Sequence, residues 1–146
     1  MKKFISIIII YLFAINAFSQ SSNCNSFDFL DNCAQELGDF TFIKSYNVKL
    51  ESAKPSSGNK TEFQYIFSKG HTYIIVVCGG SDKEMILNLL DKDKKKVSSN
   101  YSKETKQYYQ KFQYNCNSTG VYYLEASFKG YNNGCGVVIL GFKKPQ

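Results

Sequence analysis

The chain has 146 residues, a formal net charge of +6 and 16% aromatic residues, with no tryptophan and two prolines. This composition excludes intrinsic disorder, because an aromatic-rich, proline-poor chain buries enough apolar surface to offset the loss of chain entropy. The length suits one domain and excludes a multidomain protein; collagen-like, coiled-coil and multi-span membrane classes are also excluded. All 18 basic residues are lysines. Since arginine supplies bidentate contacts to phosphates and bases, we expect no nucleic-acid partner.

Residues 1–19 have the three-part pattern of a secretory signal peptide. Two lysines precede an apolar run from Phe4 to Phe18, and Ala17 and Ser19 supply the small residues of a cleavage site. The apolar run is short for a bilayer span, although an uncleaved anchor is the alternative. We therefore expect a secreted, periplasmic or cell-surface protein, whose membrane contact is limited to the signal peptide before cleavage. Without that segment the chain has 16 lysines and 12 acidic residues, for a net charge of +4.

The mature chain begins with a predicted helical segment, residues 20–38. Apolar side chains in the stretch SFDFLDNCAQEL (26–37) recur at helical spacing. Ser26 is a candidate N-cap, and Gly38 is a natural stop for the helix.

From residue 39 to residue 146 the apolar pattern alternates with period two, and turn residues separate short runs. In the first run Phe40, Phe42, Tyr46, Val48 and Leu50 are predicted to share one face, with Lys44 as the exception. The sequence predicts eight strands, at 40–50, 62–67, 71–78, 85–90, 97–101, 108–116, 121–128 and 135–142.

Short strands with tight connections and no intervening helices indicate an all-β antiparallel sandwich. The third and eighth predicted strands, 71–78 and 135–142, are apolar on both faces, so both sides of their sheet need cover. One side is the sandwich core. The N-terminal helix is the remaining apolar element, and we predict that it packs across these two strands on the outer face of their sheet.

Three segments resemble the bacterial pre-peptidase C-terminal domain family: Ser68–Val77, Met85–Asn100 and Ser118–Phe128. Lys69-Gly70-His71-Thr72-Tyr73 is similar to the family's Gly-aromatic strand start, and Thr119-Gly120-Val121-Tyr122-Tyr123 to its Thr-Gly-x-Tyr-Tyr strand. The resemblance covers about residues 61–143. It implies a jelly-roll sandwich of a kind usually appended to exported enzymes, with some relatives binding collagen, polysaccharide or calcium. The chain departs from the pattern by standing alone and by adding a helix and several cysteines, so an accessory role would operate in trans.

A jelly roll of this kind places the first, eighth, third and sixth strands in one sheet, and the second, seventh, fourth and fifth in the other. The chain has five cysteines, and export favours two disulfides with one spare thiol. The jelly-roll arrangement implies the disulfides Cys78–Cys135 and Cys33–Cys116, which leaves Cys24 over. Other connectivities stay open.

The sequence contains no set of residues that indicates catalysis or a cofactor. His71 is the single histidine and lies at a predicted turn, so we interpret it as structural and expect neither zinc nor an enzyme. A calcium site at Asp82, Glu84, Asp91 and Asp93 is an alternative. Lysines crowd the last two of these acids, and a solvated hairpin tip is favoured there.

Tyrosines at strand ends, turns or outward positions are the candidate binding residues. A tyrosine ring has a flat apolar face and a polar tip, which suits stacking on sugars or on a protein partner. These residues are Tyr101, Tyr108, Tyr109, Tyr123 and Tyr131. The alternative is that they cover sheet edges. The sequence therefore indicates a non-enzymatic binding or adhesion module for an extracellular or cell-surface glycan or protein. A small exported structural or accessory protein of an envelope complex or secreted enzyme is the rival hypothesis.

Overall fold

The computed structural model describes residues 27–51, 59–79, 84–130 and 133–144. The predicted signal peptide, Cys24, Asp82 and Tyr131 lie outside these ranges. Among the described residues no helix is long and apolar enough to span a membrane. The elements of the described part are α1 (Phe27–Gln35), β1 (Thr41–Leu50), β2 (Thr61–Phe67), β3 (Thr72–Gly79), β4 (Met85–Leu90), β5 (Lys96–Ser99), β6 (Tyr101–Ser102), β7 (Gln107–Tyr108), β8 (Lys111–Asn115), β9 (Gly120–Phe128) and β10 (Gly134–Lys143).

Eight of the strands form two four-stranded antiparallel sheets. The first sheet has the order β1-β10-β3-β8 and the second the order β2-β9-β4-β5. These orders are the ones predicted for a jelly roll, so the all-β sandwich is confirmed. The inner faces of both sheets supply the core, and its fully buried members are Val48, Phe67, Ile75, Leu87, Leu89, Leu124, Ala126, Val138 and Leu140.

The helix α1 covers the outer face of the first sheet, as predicted. It contacts β3 and β10, and a second buried cluster forms there from Cys33, Leu37, Ile74, Val76, Val137 and Ile139. The chain turns away from the helix at Gly38, which has a φ of 59° that suits glycine. The segment after the helix lies close to the sheet at Gly141, which has no side chain; a Cβ there would be only 2.8 Å from the Leu37 side chain.

The sequence predicted only in part which side chains of the first strand point into the core. The register of β1 against β10 shifts between Phe42 and Lys44. This bulge reverses the phase of the strand, so that Tyr46 and Val48 point into the core while Phe42 is 51% exposed. Phe40, which precedes β1, packs against the cluster under the helix instead.

Both predicted disulfides are wrong. Cys33 bonds to Cys78, 45 residues further along the chain, and Cys135 is disulfide-bonded without Cys78. The free thiol among the described cysteines is the buried Cys116. Cys33 packs on the outer face of the first sheet and Cys116 in the core on its inner face. The sheet itself therefore separates these two sulfurs, whereas Cys78 packs against the same outer cluster as Cys33.

Replacing both Cys33 and Cys78 with alanine is expected to lower the free energy of unfolding by about 3 kcal/mol, because the bond closes a long loop in the unfolded chain. Urea denaturation at pH 7 measures the loss. The matched control is Cys116→Ala, which also removes a buried sulfur but breaks no cross-link. Equal losses in the two variants would show that the disulfide does not tie the helix to the sheet.

Candidate binding site: the tyrosine hairpin

The structure differs most from the sequence prediction between residues 97 and 116. The predicted strands 97–101 and 108–116 are each interrupted, at Asn100 and near Tyr109. The residues between these points leave both sheets, and β6 and β7 pair with each other as a separate two-stranded ribbon. We call residues 101–109 the tyrosine hairpin.

Asn100 anchors the tyrosine hairpin to the second sheet. Its side chain is 2% exposed and has every polar atom satisfied. The Oδ1 atom accepts from the Leu87 N–H at 2.8 Å, and Nδ2 donates to the carbonyls of Met85 at 2.9 Å and Tyr109 at 3.3 Å. The backbone of Asn100 also donates to the Leu87 carbonyl and accepts from the Tyr109 N–H. A fully paired buried amide holds one geometry, so Asn100 attaches the start of the hairpin to β4 and holds its returning end at Tyr109.

A second anchor joins the hairpin to the first sheet. The Val77 N–H donates to the Gln110 carbonyl at 2.7 Å, and the Gln110 side-chain amide lies 3.5 Å from the Cys78 sulfur. A cavity of about 170 Å³ lies at this base, lined by Val77, Gly79, Glu84, Met85, Asn100, Tyr108, Tyr109 and Gln110. The base of the hairpin is therefore adjacent to the disulfide that fixes the helix.

Three of the five candidate tyrosines meet on this hairpin. The rings of Tyr101 and Tyr108 pack with their centroids 4.7 Å apart. The Lys129 ammonium lies 4.9 Å from the Tyr108 ring centroid and 2.8 Å from the Glu84 carboxylate; that hydrogen bond raises the pKa of Lys129. Tyr109 is 46% exposed. The hairpin thus presents one open ring beside two packed ones.

Tyr123 does not belong to this group. It lies on the outer face of the second sheet, opposite Leu90 at the far end of β4. The Lys94 ammonium is 3.1 Å from the centroid of its ring and 2.5 Å from the Glu62 carboxylate. The chain's own lysine therefore occupies one face of the Tyr123 ring, where a sugar would otherwise stack.

Glu125 lies on the same outer face and is held by two neighbours. Its Oε1 accepts from the Lys60 ammonium at 3.0 Å and from the Asn88 amide at 3.1 Å. Burial raises the pKa of Glu125, but the hydrogen bonds from Lys60 and Asn88 and the positive charges of Lys60 and Lys94 outweigh burial and lower it overall.

The described acids of the calcium alternative do not converge. Glu84 precedes β4 and Asp91 follows it, and a strand of six residues separates them by roughly 20 Å. The Asp91 carboxylate accepts two backbone N–H groups of its own turn, and Asp93 pairs with Lys92. Among the described residues no three His, Cys, Asp or Glu side chains are placed to hold a metal.

His71 packs at the start of β3 against aromatic rings. Its ring centroid lies 6.4 Å from that of Tyr73 and 5.9 Å from that of Phe142. The buried Nδ1 atom has no hydrogen-bond partner within the described part of the chain. A general base needs a nucleophile or an orienting group at its ring nitrogens, and at Nδ1 the described residues supply neither.

Comparison with known proteins adds a likeness in fold. Neither a protein-family model nor a curated protein matches this chain. Among solved structures, the chain is similar to PliG of Aeromonas hydrophila, described as a periplasmic lysozyme inhibitor of g-type lysozyme. The two are 8% identical with a TM-score of 0.50, and the match covers 72% of this chain and 89% of that chain. At this identity the likeness shows a shared fold.

Asn100→Ala is expected to lower the free energy of unfolding by about 2–3 kcal/mol, since it leaves several buried backbone groups unpaired. It should also speed amide hydrogen exchange across residues 101–109. Asn88→Ala is the control, because Asn88 is half-buried and its side chain donates to Glu125 from the other side of the sheet. Unchanged exchange in the hairpin of the Asn100 variant would contradict the anchoring role.

The free energy of unfolding should depend on pH through Glu125, on the outer face of the second sheet. The pKa of folded Glu125 is below its ordinary value of 4.5. The ionised carboxylate therefore stabilises the fold above pH 4.5, and this contribution is lost as the pH falls through the lowered folded pKa. We expect Glu125→Gln to cost about 1 kcal/mol at pH 7 and much less at pH 3, as measured by urea denaturation. Glu104→Gln, at the exposed hairpin tip, is the control. If Glu125→Gln lowered the free energy of unfolding by the same amount at pH 7 and at pH 3, the ionised Glu125 would not be the source of that stability.

Proposed function

We propose that this protein is an exported, non-enzymatic binding module that recognises an extracellular protein through the tyrosine hairpin. The observation that carries the proposal is the combination of exposure and anchoring. Tyr109 is 46% exposed, yet its backbone is bonded to the buried Asn100. Binding loses less free energy when the contacting residues are already ordered, and tyrosine is enriched among residues that dominate protein interfaces.

The geometry favours a protein over a polysaccharide as the target. Tyr101 and Tyr108 pack on each other, and Lys94 covers the ring of Tyr123. The described tyrosines therefore offer no flat row of free rings for successive sugars. A two-stranded ribbon outside both sheets, with an exposed tip of mixed charge (Lys103, Glu104 and Lys106), suits a protein surface instead. The shared fold with a lysozyme inhibitor supports a protein partner. An extracellular or cell-surface glycan is the alternative.

Export is supported by the cross-links. Cys33–Cys78 is a disulfide, and Cys135 is disulfide-bonded as well. Disulfides persist in secreted and periplasmic proteins and are rare in a reducing cytosol. The signal-peptide pattern of residues 1–19 agrees with this location.

A role as an accessory protein is the second candidate. The resemblance to the pre-peptidase C-terminal family implies a partner among exported enzymes or envelope complexes. The open ring of Tyr109 also suits this role, because docking on a large protein needs the same kind of aromatic anchor. Affinity purification from the native envelope fraction, with the wild type beside Tyr109→Ala, would identify such a partner by its loss from the variant.

Tyr109→Ala is expected to weaken binding at least about tenfold, as is typical when an aromatic anchor is truncated, with little change in thermal stability. The probes are a g-type lysozyme, extracellular-matrix proteins and polysaccharides, measured by biolayer interferometry. Tyr123→Ala is the matched control, since it removes a ring of the same kind away from the hairpin.

Full affinity in the Tyr109 variant would exclude the hairpin as the binding site. Binding to polysaccharides alone would overturn the preference for a protein partner and favour the glycan alternative.

A further inference from the structure

The four edge strands of the sandwich differ in how well they are protected against pairing with another chain. The edges are β1 and β8 in the first sheet and β2 and β5 in the second. An edge strand exposes unpaired backbone N–H and C=O groups, and soluble proteins protect it with bulges, short strands or lysines.

Three of these edges carry such protection. The strand β1 has a bulge between Phe42 and Lys44. The strand β8 has five residues and begins with Lys111, which forms an ion pair with Glu36 of the segment after the helix. The strand β5 has four residues, begins with Lys96 and has an irregular register against β4.

The remaining edge, β2, has none of these features. Its seven residues, TEFQYIF, contain no proline, glycine or lysine. All of them pair with β9 in one unbroken register, and within the described part of the chain no strand pairs along the other side of β2. Long and regular edge strands without bulges, prolines or lysines are the ones that recruit another strand.

Apolar surface lies beside this free edge. Ile66 is 63% exposed, more than any other large hydrophobic residue among those described. An open cleft of about 440 Å³ is lined by Gln64, Tyr65, Ile66 and Val121. Ile66 pairs with Val121 of β9, and neighbouring residues of a strand point to opposite faces, so the cleft lies on the outer face of the second sheet beside the edge strand.

The charge of this edge favours an identical partner. Glu62 is the one charged residue in β2, and its carboxylate is neutralised by the Lys94 ammonium at 2.5 Å. Two copies of the edge therefore meet without like-charge repulsion, and neither carries an unbalanced charge that would select an oppositely charged protein.

We propose that β2 pairs antiparallel with β2 of a second copy of this chain, so that the two second sheets become one continuous sheet. A two-fold axis makes the contact self-complementary. It removes Ile66 of both copies from water. This dimer goes beyond the proposed function, because β2 and the tyrosine hairpin share no residue and the hairpins of both copies stay open.

Sedimentation equilibrium of the mature protein from about 1 µM to about 1 mM tests the proposal. We expect a reversible monomer–dimer equilibrium whose Kd rises at least about tenfold in Ile66→Lys, which places a hydrated charge on each side of the axis. The control is Phe42→Lys, because Phe42 is also exposed, at 51%, but lies on the protected β1. Its Kd should match that of the wild type. Ile66→Thr keeps the β-branched shape and should weaken the dimer to a smaller extent.

Amide hydrogen exchange locates the contact. Exchange in residues 61–67 should slow as the wild-type concentration rises, and it should not change with concentration in Ile66→Lys. A chain that stays monomeric throughout, a dimer unaffected by Ile66→Lys, or protection confined to another segment would each overturn the proposal. Capture of a foreign strand by a monomeric chain would overturn it as well. None of these results bears on the binding test at Tyr109.

Discussion

The two-sided apolar character of β3 and β10 is the constraint on which the rest of the structure depends. Neighbouring residues of these strands are buried on opposite faces: Ile75 and Leu140 in the sandwich core, Ile74 and Ile139 beneath the helix. Burying a side chain of this size stabilises the fold by about 2 kcal/mol, so neither face can be left in water. The second sheet covers one face and the helix covers the other. The disulfide between Cys33 and Cys78 then fixes the short helix, which has nine residues and would be marginal in isolation.

The two sheets therefore differ in how many of their faces are buried. The two inner strands of the first sheet, β3 and β10, are covered on both sides. The second sheet has a solvent-facing side on which charges are paired with one another, through Glu125 with Lys60 and Glu62 with Lys94. Surface ion pairs of this type contribute little to stability. These pairs do neutralise the charges of the face, and its exposed apolar surface is supplied by Ile66 of β2 and Val121 of the adjacent β9.

The tyrosine hairpin depends on a different interaction, the buried amide of Asn100. A strand that continued through residue 100 would join the sheet, and Tyr101 would be one more residue of a β-ladder. Asn100 instead uses its side chain to bond the backbone of β4, and the chain leaves the sheet at that point. The same residue bonds to Tyr109 where the chain returns. One polar side chain in the interior thus determines where the most exposed aromatic group of the hairpin stands.

Much of the architecture was determined by the sequence alone, because alternation of apolar and polar residues reports directly on which strands are half-buried and which are covered twice. The sandwich and the position of the helix follow from that pattern, whereas the order of the strands in the two sheets was predicted from the resemblance to a jelly-roll family. The disulfide pairing did not follow, since it depends on which side of the sheet each sulfur faces. Nor did the bulge in β1, whose extra residue leaves no mark in composition. The grouping of Tyr101, Tyr108 and Tyr109, apart from Tyr123, was decided only in three dimensions. Asn100 stands among equally polar neighbours, and a buried amide differs from an exposed one only through the partners that the folded chain brings to it.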